Sequence, residues 1–347
     1  MAFVKSPKAL ELQGIPRELM ETGSPPIQLS FVVIGFNESR NLRACLMSLR
    51  NAHLDGISHE ILYVDGGSLD DSVAVARDCG VSQVLGGERR RRAAENRNFG
   101  AAHARGVYIQ FIDGDMILDP AWPAAALEYL NHHDEAAAVC GRLQEANRSF
   151  IFQVAQLDWR QSEGPVPYCG GAALFRREVF EQAGGFPEDV TSGEEPYLCW
   201  CIRNELGRQI VHLDRPMALH DLGWSGFRDY WKQYVRNGST YIEIASRCAG
   251  TKDPLWVRPC MTNAAWVSAY LAGTGFLLAG PLPVQATVLL LATAVLLRKT
   301  LQTRSSGQPW SIAAGYALHT YFSQIPLAYG QLRWLLKEAI APQHPSS

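Results

Sequence analysis

The chain has 347 residues, which is enough for one large α/β domain and a further segment. Lys and Arg number 32 against 34 Asp and Glu, so the formal net charge is −2. This balance excludes the strongly basic surface typical of nucleic-acid-binding proteins, and no nucleic-acid partner is expected. The eight cysteines include no Cys-x-x-Cys pair and no zinc-like spacing with His, which favours reduced, mostly buried thiols.

The first 28 residues contain no apolar core of signal-peptide length and carry several prolines. We therefore predict a cytosolic leader over residues 1–28.

Strands and helices alternate from residue 29 onwards. Apolar runs predict buried strands over residues 29–36, 61–64 and 107–112. Apolar residues at helical spacing follow the first two strands, with Asn37 and Ser39 as expected N-caps of the first helix. A further helix is expected over residues 93–105. This alternation predicts an α/β, Rossmann-like domain with a mostly parallel sheet.

Asp113-Gly114-Asp115 follows the third of these strands directly. Such a strand aims the residues after it into the crevice at the carboxyl edge of the sheet. Two carboxylates one residue apart can hold Mg²⁺ or Mn²⁺, which leave their remaining positions to water and phosphates. The alternative is an ordinary Asp-Gly turn.

Beyond residue 119 the pattern is looser. We predict a strand over residues 136–143, a helix that opens at Glu194-Glu195 and a last strand over residues 210–213. The basic run Arg89–Arg92 is either a solvated loop or a patch that faces phosphate or membrane.

The last quarter of the chain is apolar. Residues 259–297 contain no charged residue, and Gly280 and Pro281 divide them into two segments. We predict a membrane hairpin there, with both flanks cytoplasmic because basic residues border it. Residues 310–329 are expected to form an interfacial helix or a third span, and residues 224–244 an amphipathic helix on the membrane. A buried helical subdomain and an ordinary packed helix are the respective alternatives.

Six segments of the soluble part occur in an order that resembles the family 2 glycosyltransferases, inverting enzymes with the GT-A fold that use nucleotide-sugar donors. They are Val32–Glu38, Val64–Asp70, Arg97–Gly100, Asp113–Asp115, Gly170-Gly171 with Phe175–Arg177, and Gly193–Glu195. The resemblance covers about residues 29–220 and implies a GT-A catalytic domain. Within that frame we expect domains at 1–28, 29–245, 246–262 (linker) and 263–347 (membrane helices).

The resemblance implies roles on the donor side. Asn37, Glu38, Asp65, Arg97 and Asp113 are expected to bind the donor, with Asp65 accepting from a base such as uracil and Arg97 facing the diphosphate.

A metal site is implied as well. The ion is Mn²⁺ or Mg²⁺, with Asp115 as the direct ligand, Asp113 beside it and His220 as a further ligand. Family members usually carry a second acidic residue where this chain has Gly66, so one nucleotide contact is left open.

The acceptor side includes the catalytic base. A carboxylate at a helix start can take the proton of an acceptor hydroxyl. Glu195 is favoured and Glu194 is the alternative, because the family more often has Asp at the second position. Gly170 and Gly171 are expected to shape the acceptor pocket, and Trp159 to stack on a sugar.

These expectations combine into a membrane-anchored enzyme on the cytoplasmic face of the cell membrane, active in glycan or polysaccharide biosynthesis. It would move one sugar, from a UDP-sugar in preference, to a lipid-linked or glycolipid acceptor. A processive polysaccharide synthase is less favoured because the spans are few. A catalytically silent nucleotide-sugar-binding scaffold is the alternative of a different class.

Overall fold

A computed structural model describes residues 27–340, so residues 1–26 of the predicted leader lie outside the described part. The described residues form two compact units. The first comprises residues 27–144, 161–188 and 194–220, and the second comprises residues 145–160, 189–193 and 221–340. The predicted domain boundaries at 245 and 262 stay predictions; a helix over Phe227–Cys248 crosses residue 245.

The first unit is built on a nine-stranded sheet in the order β3-β2-β1-β4-β8-β6-β9-β5, with β7 paired to β9. The strands are β1 Leu29–Gly35, β2 His59–Asp65, β3 Gln83–Gly86, β4 Tyr108–Asp113, β5 Met116–Leu118, β6 Ala136–Glu145, β7 Gly164–Pro165, β8 Ala173–Arg176 and β9 Gln209–His220.

The parallel part of the sheet positions the candidate site. Strand β1 pairs in parallel with β2 and β4, in a register that sets Gly35 beside Asp65 and Ile34 beside Asp113. The carboxyl ends of three strands therefore meet at one edge. Strand β8 runs antiparallel to β4, and β6, β7 and β5 also make antiparallel pairs. The α/β fold class is confirmed, although the sheet is more mixed than a mostly parallel one.

Helices cover this sheet and form most of the second unit. They are α1 Leu42–Arg50, α2 Ser72–Asp78, α3 Ala93–His103, α4 Trp122–His132, α5 Phe150–Ala155, α6 Arg177–Gln182, α7 Glu194–Asn204, α8 Phe227–Cys248, α9 Val257–Ala279, α10 Leu282–Ser305, α11 Trp310–Phe322 and α12 Gln324–Ile340.

The start of α1 differs from the prediction. The residue before the helix is Asn41, and Asn37 and Ser39 lie in the loop before it. The apolar face of α1 packs into the core as its spacing predicts, with Leu42, Leu46 and Leu49 fully buried. Each such side chain contributes about 1.5–3 kcal/mol relative to an exposed one.

The second unit contains the apolar helices. Helices α9 and α10 break at Gly280 and Pro281 as predicted, but both are longer than the predicted segments. Among residues 27–340, α10 is the only helix that is long and apolar enough to cross a bilayer, with a mean hydropathy of 1.5 over an 18-residue window. Residues 310–329 do not form one helix: α11 ends at Phe322, and Pro326 lies in the first turn of α12, where a missing N–H is tolerated.

Candidate active site

A polar cavity of about 230 Å³ lies at the edge where β1 and β4 end. Its lining residues are Ile34, Gly35, Phe36, Glu38, Arg90, Arg91, Ala93, Asn96, Arg97, Asp113, Gly114 and Asp115. Acidic and basic side chains are therefore interleaved around one small space, as a site for a cation and a phosphorylated ligand requires.

Arg97 joins two of the predicted site residues. Its Nη2 donates to Asp113 Oδ1 at 2.8 Å and its Nη1 to Glu194 Oε1 at 2.9 Å. The Arg97 side chain is only 5% exposed, which excludes a surface helix charge. Burial raises the pKa of Asp113 and Arg97 opposes that rise. Burial alone lowers the pKa of Arg97, but Asp113 and Glu194 raise it above its usual value.

Asp115 and His220 come together through strand pairing. In the β5–β9 pair, Met116 lies opposite His220, and this brings His220 Nε2 to 3.6 Å from Asp115 Oδ2. Asp115 Oδ1 is buried without a hydrogen-bond partner anywhere in residues 27–340. A buried carboxylate oxygen left unpaired is costly, and two carboxylates with an imidazole suit Mn²⁺. The residues therefore fit a divalent cation.

Glu38 lies on the same cavity wall. Burial raises the pKa of Glu38 to about 7, and the nearby charge of Asp115 adds to the rise. Three carboxylates thus crowd one cavity, and a bound cation would relieve their repulsion.

Arg90 and Asn96 occupy the space beside Gly66. A Cβ on Gly66 would lie 2.8 Å from Asn96 Nδ2 and 3.2 Å from Arg90 Nη1. The Arg90 guanidinium also stacks on the Phe36 ring, with 3.4 Å from Cζ to the ring centroid. The absence of an acidic side chain at Gly66 is thus accompanied by an arginine in the cavity wall. Sequence reasoning left Arg90 and Arg91 open between two interpretations, and their place in the cavity wall favours the phosphate-facing one.

Asp65 and Asn37 accept hydrogen bonds from the backbone of the loop after β2. Asp65 is fully buried, and its Oδ2 accepts from the backbone N–H of Gly67 at 2.9 Å and of Ser68 at 2.7 Å. Asn37 Oδ1 accepts from the N–H of Leu69 at 2.8 Å. Neither side chain lines the cavity, so their contacts with a nucleotide stay predictions.

The glycine pair and Trp159 belong to different units. A Cβ on Gly171 would lie 2.9 Å from Arg97 Nη2, so the backbone there passes directly behind the Arg97 pairs. Gly170 has a φ of +80°, which a glycine adopts freely. Trp159 ends a short 3₁₀ helix of the second unit. Its predicted role in sugar stacking stays a prediction.

Glu195 faces thiols rather than arginine. It is 5% exposed, and its Oε1 accepts from the Cys169 backbone N–H at 2.7 Å and from the Cys199 thiol at 3.0 Å. Burial raises the pKa of Glu195, and the hydrogen bonds of Cys199 and Cys169 oppose the rise. Sequence spacing did not indicate this cluster, because Cys169 and Cys199 are 30 residues apart.

Residues 30–184 match the model of the family described as glycosyl transferase family 2. The Asp-x-Asp cavity at the edge of a mixed α/β sheet agrees with that match. Residues 30–184 therefore carry a domain of the kind that this family's model describes, and the resemblance expected from the motifs is confirmed.

Individual relatives agree with this class. The glycosyltransferase AglE of Haloferax volcanii is 26% identical over 253 residues, which are 69% of this chain and 79% of AglE. The mannosyltransferase PcManGT from Pyrobaculum calidifontis, solved in complex with GDP-Man and Mn²⁺, is 21% identical with a TM-score of 0.63, over 84% of this chain and 87% of that one. Residues 1–349 of S. aureus TarS, in complex with UDP-GlcNAc, are 14% identical with a TM-score of 0.52, over 91% and 93%. At these identities the two structures show a shared GT-A fold.

Proposed function

We propose that the protein is an inverting, metal-dependent glycosyltransferase that moves one sugar from a nucleotide-sugar donor to a membrane-held acceptor. The observation that carries the proposal is the single cavity in which Asp113 and Asp115 face Arg90, Arg91 and Arg97. A nucleoside diphosphate is the leaving group of this reaction, and such a site matches its charge.

The donor side consists of the basic groups and the cation ligands. Arg90 and Arg91 contact the diphosphate, and Arg97, which lines the same cavity, holds Asp113 in place. Asp115, Asp113 and His220 would hold Mn²⁺ or Mg²⁺, which when bound neutralises charge on the leaving diphosphate. PcManGT and TarS bind GDP-Man and UDP-GlcNAc respectively, and we retain UDP-sugars as the first choice.

The base is a carboxylate at the start of α7. Glu195 takes the proton of the acceptor hydroxyl as that oxygen attacks the anomeric carbon from the face opposite the leaving group. Glu194 is less suited, because its Oε1 is already engaged by Arg97 Nη1 at 2.9 Å.

The acceptor class follows from the second unit. Helix α10 is apolar and its apolar window is not buried, which supports a membrane anchor. The basic residues on both flanks of the predicted hairpin favour a catalytic domain on the cytoplasmic side. An acceptor held in the same membrane, such as a lipid-linked sugar or glycolipid, fits that arrangement.

The test is thermal stabilisation of the detergent-purified protein by UDP, GDP, dTDP and their sugars, each with and without Mn²⁺. A ligand at 100 times its Kd should add about 2.7 kcal/mol. We expect a Mn²⁺-dependent shift with one nucleotide family, lost in Asp115→Asn. Asp119→Asn is the matched control, since Asp119 lies just past β5 and outside the cavity lining.

Two results would contradict the proposal. Stabilisation that is equal with and without Mn²⁺, or unchanged in Asp115→Asn, would remove the cation role. A protein that binds the donor but neither transfers the sugar to any lipid-linked acceptor nor hydrolyses the donor would support the silent scaffold instead.

A further inference from the structure

Three donors converge on one oxygen of Glu195. The Cys169 backbone N–H lies 2.7 Å from Glu195 Oε1, the Cys169 Sγ 3.2 Å and the Cys199 Sγ 3.0 Å. Cys199 follows Glu195 by four residues on α7, so the two side chains share one helix face. Cys169 reaches them from the loop that precedes the glycine pair and β8.

We propose that Cys169 and Cys199 are positioning residues for Glu195, whose thiols orient its carboxylate for proton transfer from the acceptor. This inference rests on the proposed role of Glu195 as the base. Because the contacts converge on Oε1, they fix the direction of the carboxylate, which otherwise turns freely about its last bond.

The thiols are protonated donors at neutral pH. Burial raises the pKa of Cys199 to about 11 and that of Cys169 well above its usual value. Hydrogen bonds to the charged form of a carboxylate favour that form. The two thiols therefore keep burial from raising the pKa of Glu195 further, without a formal positive charge that would hold the carboxylate ionised.

Other groups around this carboxylate also act on it or feel its charge. The backbone N–H of Gly170 donates to Glu195, and the charge of Glu195 acts on the guanidinium of Arg97 and the thiol of Cys140. Cys140 is buried, as Cys169 and Cys199 are, but its thiol is directed to Gln161 Oε1 at 3.7 Å. Cys140 therefore offers a matched control for the loss of a buried thiol from the same unit.

The test is an infrared pH titration of the full-length protein in detergent. The protonated-carboxyl band of Glu195 is isolated as the difference from Glu195→Gln in each background. We expect Cys199→Ala to move the midpoint up by about 0.5–1 pH unit, because a donor to the charged form is lost. Cys199→Ser, with a stronger hydroxyl donor, should return the midpoint to the wild-type value or below it, and Cys140→Ala should leave it unchanged.

A kinetic measurement accompanies the titration. Hydrolysis of the nucleotide sugar that stabilises the protein most uses water in place of the acceptor. We expect the acid limb of its kcat/KM profile to move with the infrared midpoint and kcat at pH 7 to fall several-fold in Cys199→Ala. The KM for the donor should be unchanged, and the serine variant should recover kcat.

The outcomes separate this inference from the proposed function. If Glu195→Gln loses hydrolysis but Cys199→Ala changes only thermal stability, as Cys140→Ala does, then Glu195 is the base and its thiols merely pack. If Glu195→Gln keeps full activity, the base assignment and this inference both fail. Should Cys199→Ala not fold, Cys169→Ala answers the same question, because the backbone N–H of residue 169 remains.

Discussion

Glu194 and Glu195 are neighbours in the first turn of α7, yet their surroundings have little in common. The Glu194 side is ionic: Arg97 donates to Glu194 and to Asp113, and the three form a chain of opposite charges. The Glu195 side is neutral, with two thiols and a backbone N–H around one oxygen. The difference shows that a helix start can hold two carboxylates in two environments, one in an ion pair and one among neutral donors.

The largest expected effect separates the two glutamates directly. Glu195→Gln keeps an oxygen that can accept from both thiols but removes the base, so transfer should fall by roughly 10²–10⁴-fold while donor binding persists. Glu194→Gln should reduce transfer less. Single-turnover rates and donor Kd measured on both variants check this. The opposite order would assign the base to Glu194.

The next effect tests the ionic side. Arg97→Met leaves Asp113 and Glu194 without a partner in a mostly buried place and should destabilise the fold by about 3 kcal/mol. Urea unfolding measures the change. Arg43→Met removes an exposed pair with Asp78 and serves as the control, with an expected change of about 0.5 kcal/mol or less. Equal losses of unfolding free energy in the two variants would mean that the buried Arg97 ion pairs stabilise the fold no more than an exposed pair does.

A smaller effect is expected where the glycine pair adjoins the ionic side. The Cβ of Gly171→Ala would lie 2.9 Å from Arg97 Nη2 and 3.5 Å from Asp113 Oδ2. Either Arg97 or the backbone must shift, at a cost of about 1–3 kcal/mol. Gly226→Ala has open space around its Cβ and is the control. Thermal unfolding of the two variants compares them. An unchanged melting temperature in Gly171→Ala would show that Arg97 and the backbone at residue 171 can shift without cost.

The smallest effect concerns pH. The pKa of Glu38 is raised to about 7 from 4.5, so its ionisation costs stability as the pH rises from about 4.5 to 7. Glu38→Gln removes that cost. The melting temperature of Glu38→Gln minus that of the wild type should therefore increase from pH 5 to pH 8. Mn²⁺ should make this difference smaller, because the cation neutralises part of the negative charge in the cavity. A difference that does not change with pH would contradict the raised pKa of Glu38 in the cavity.

The sequence predicts the parts of this molecule that depend on local pattern. Strand–helix alternation predicts the fold class, and an apolar run followed by Asp113 and Asp115 predicts carboxylates at the sheet edge. Pairings between distant segments are a different matter. His220 reaches Asp115 only through the β5–β9 register, and Cys169 reaches Cys199 only because a loop passes over α7. For Arg97 the sequence leaves a diphosphate partner and a surface helix charge both open, since nothing local shows that two carboxylates from other elements will pair with it and bury it.

The cysteines have a practical consequence for solution work. All eight are free and buried, and burial raises the pKa of Cys199 to about 11. Thiolates, not thiols, react with alkylating dyes, so the native residues should label slowly in the folded protein. A single reporter such as Leu69→Cys, at a site whose native side chain is 94% exposed in the loop after β2, could then carry a fluorophore without a cysteine-free background. Its emission would follow nucleotide arrival in real time.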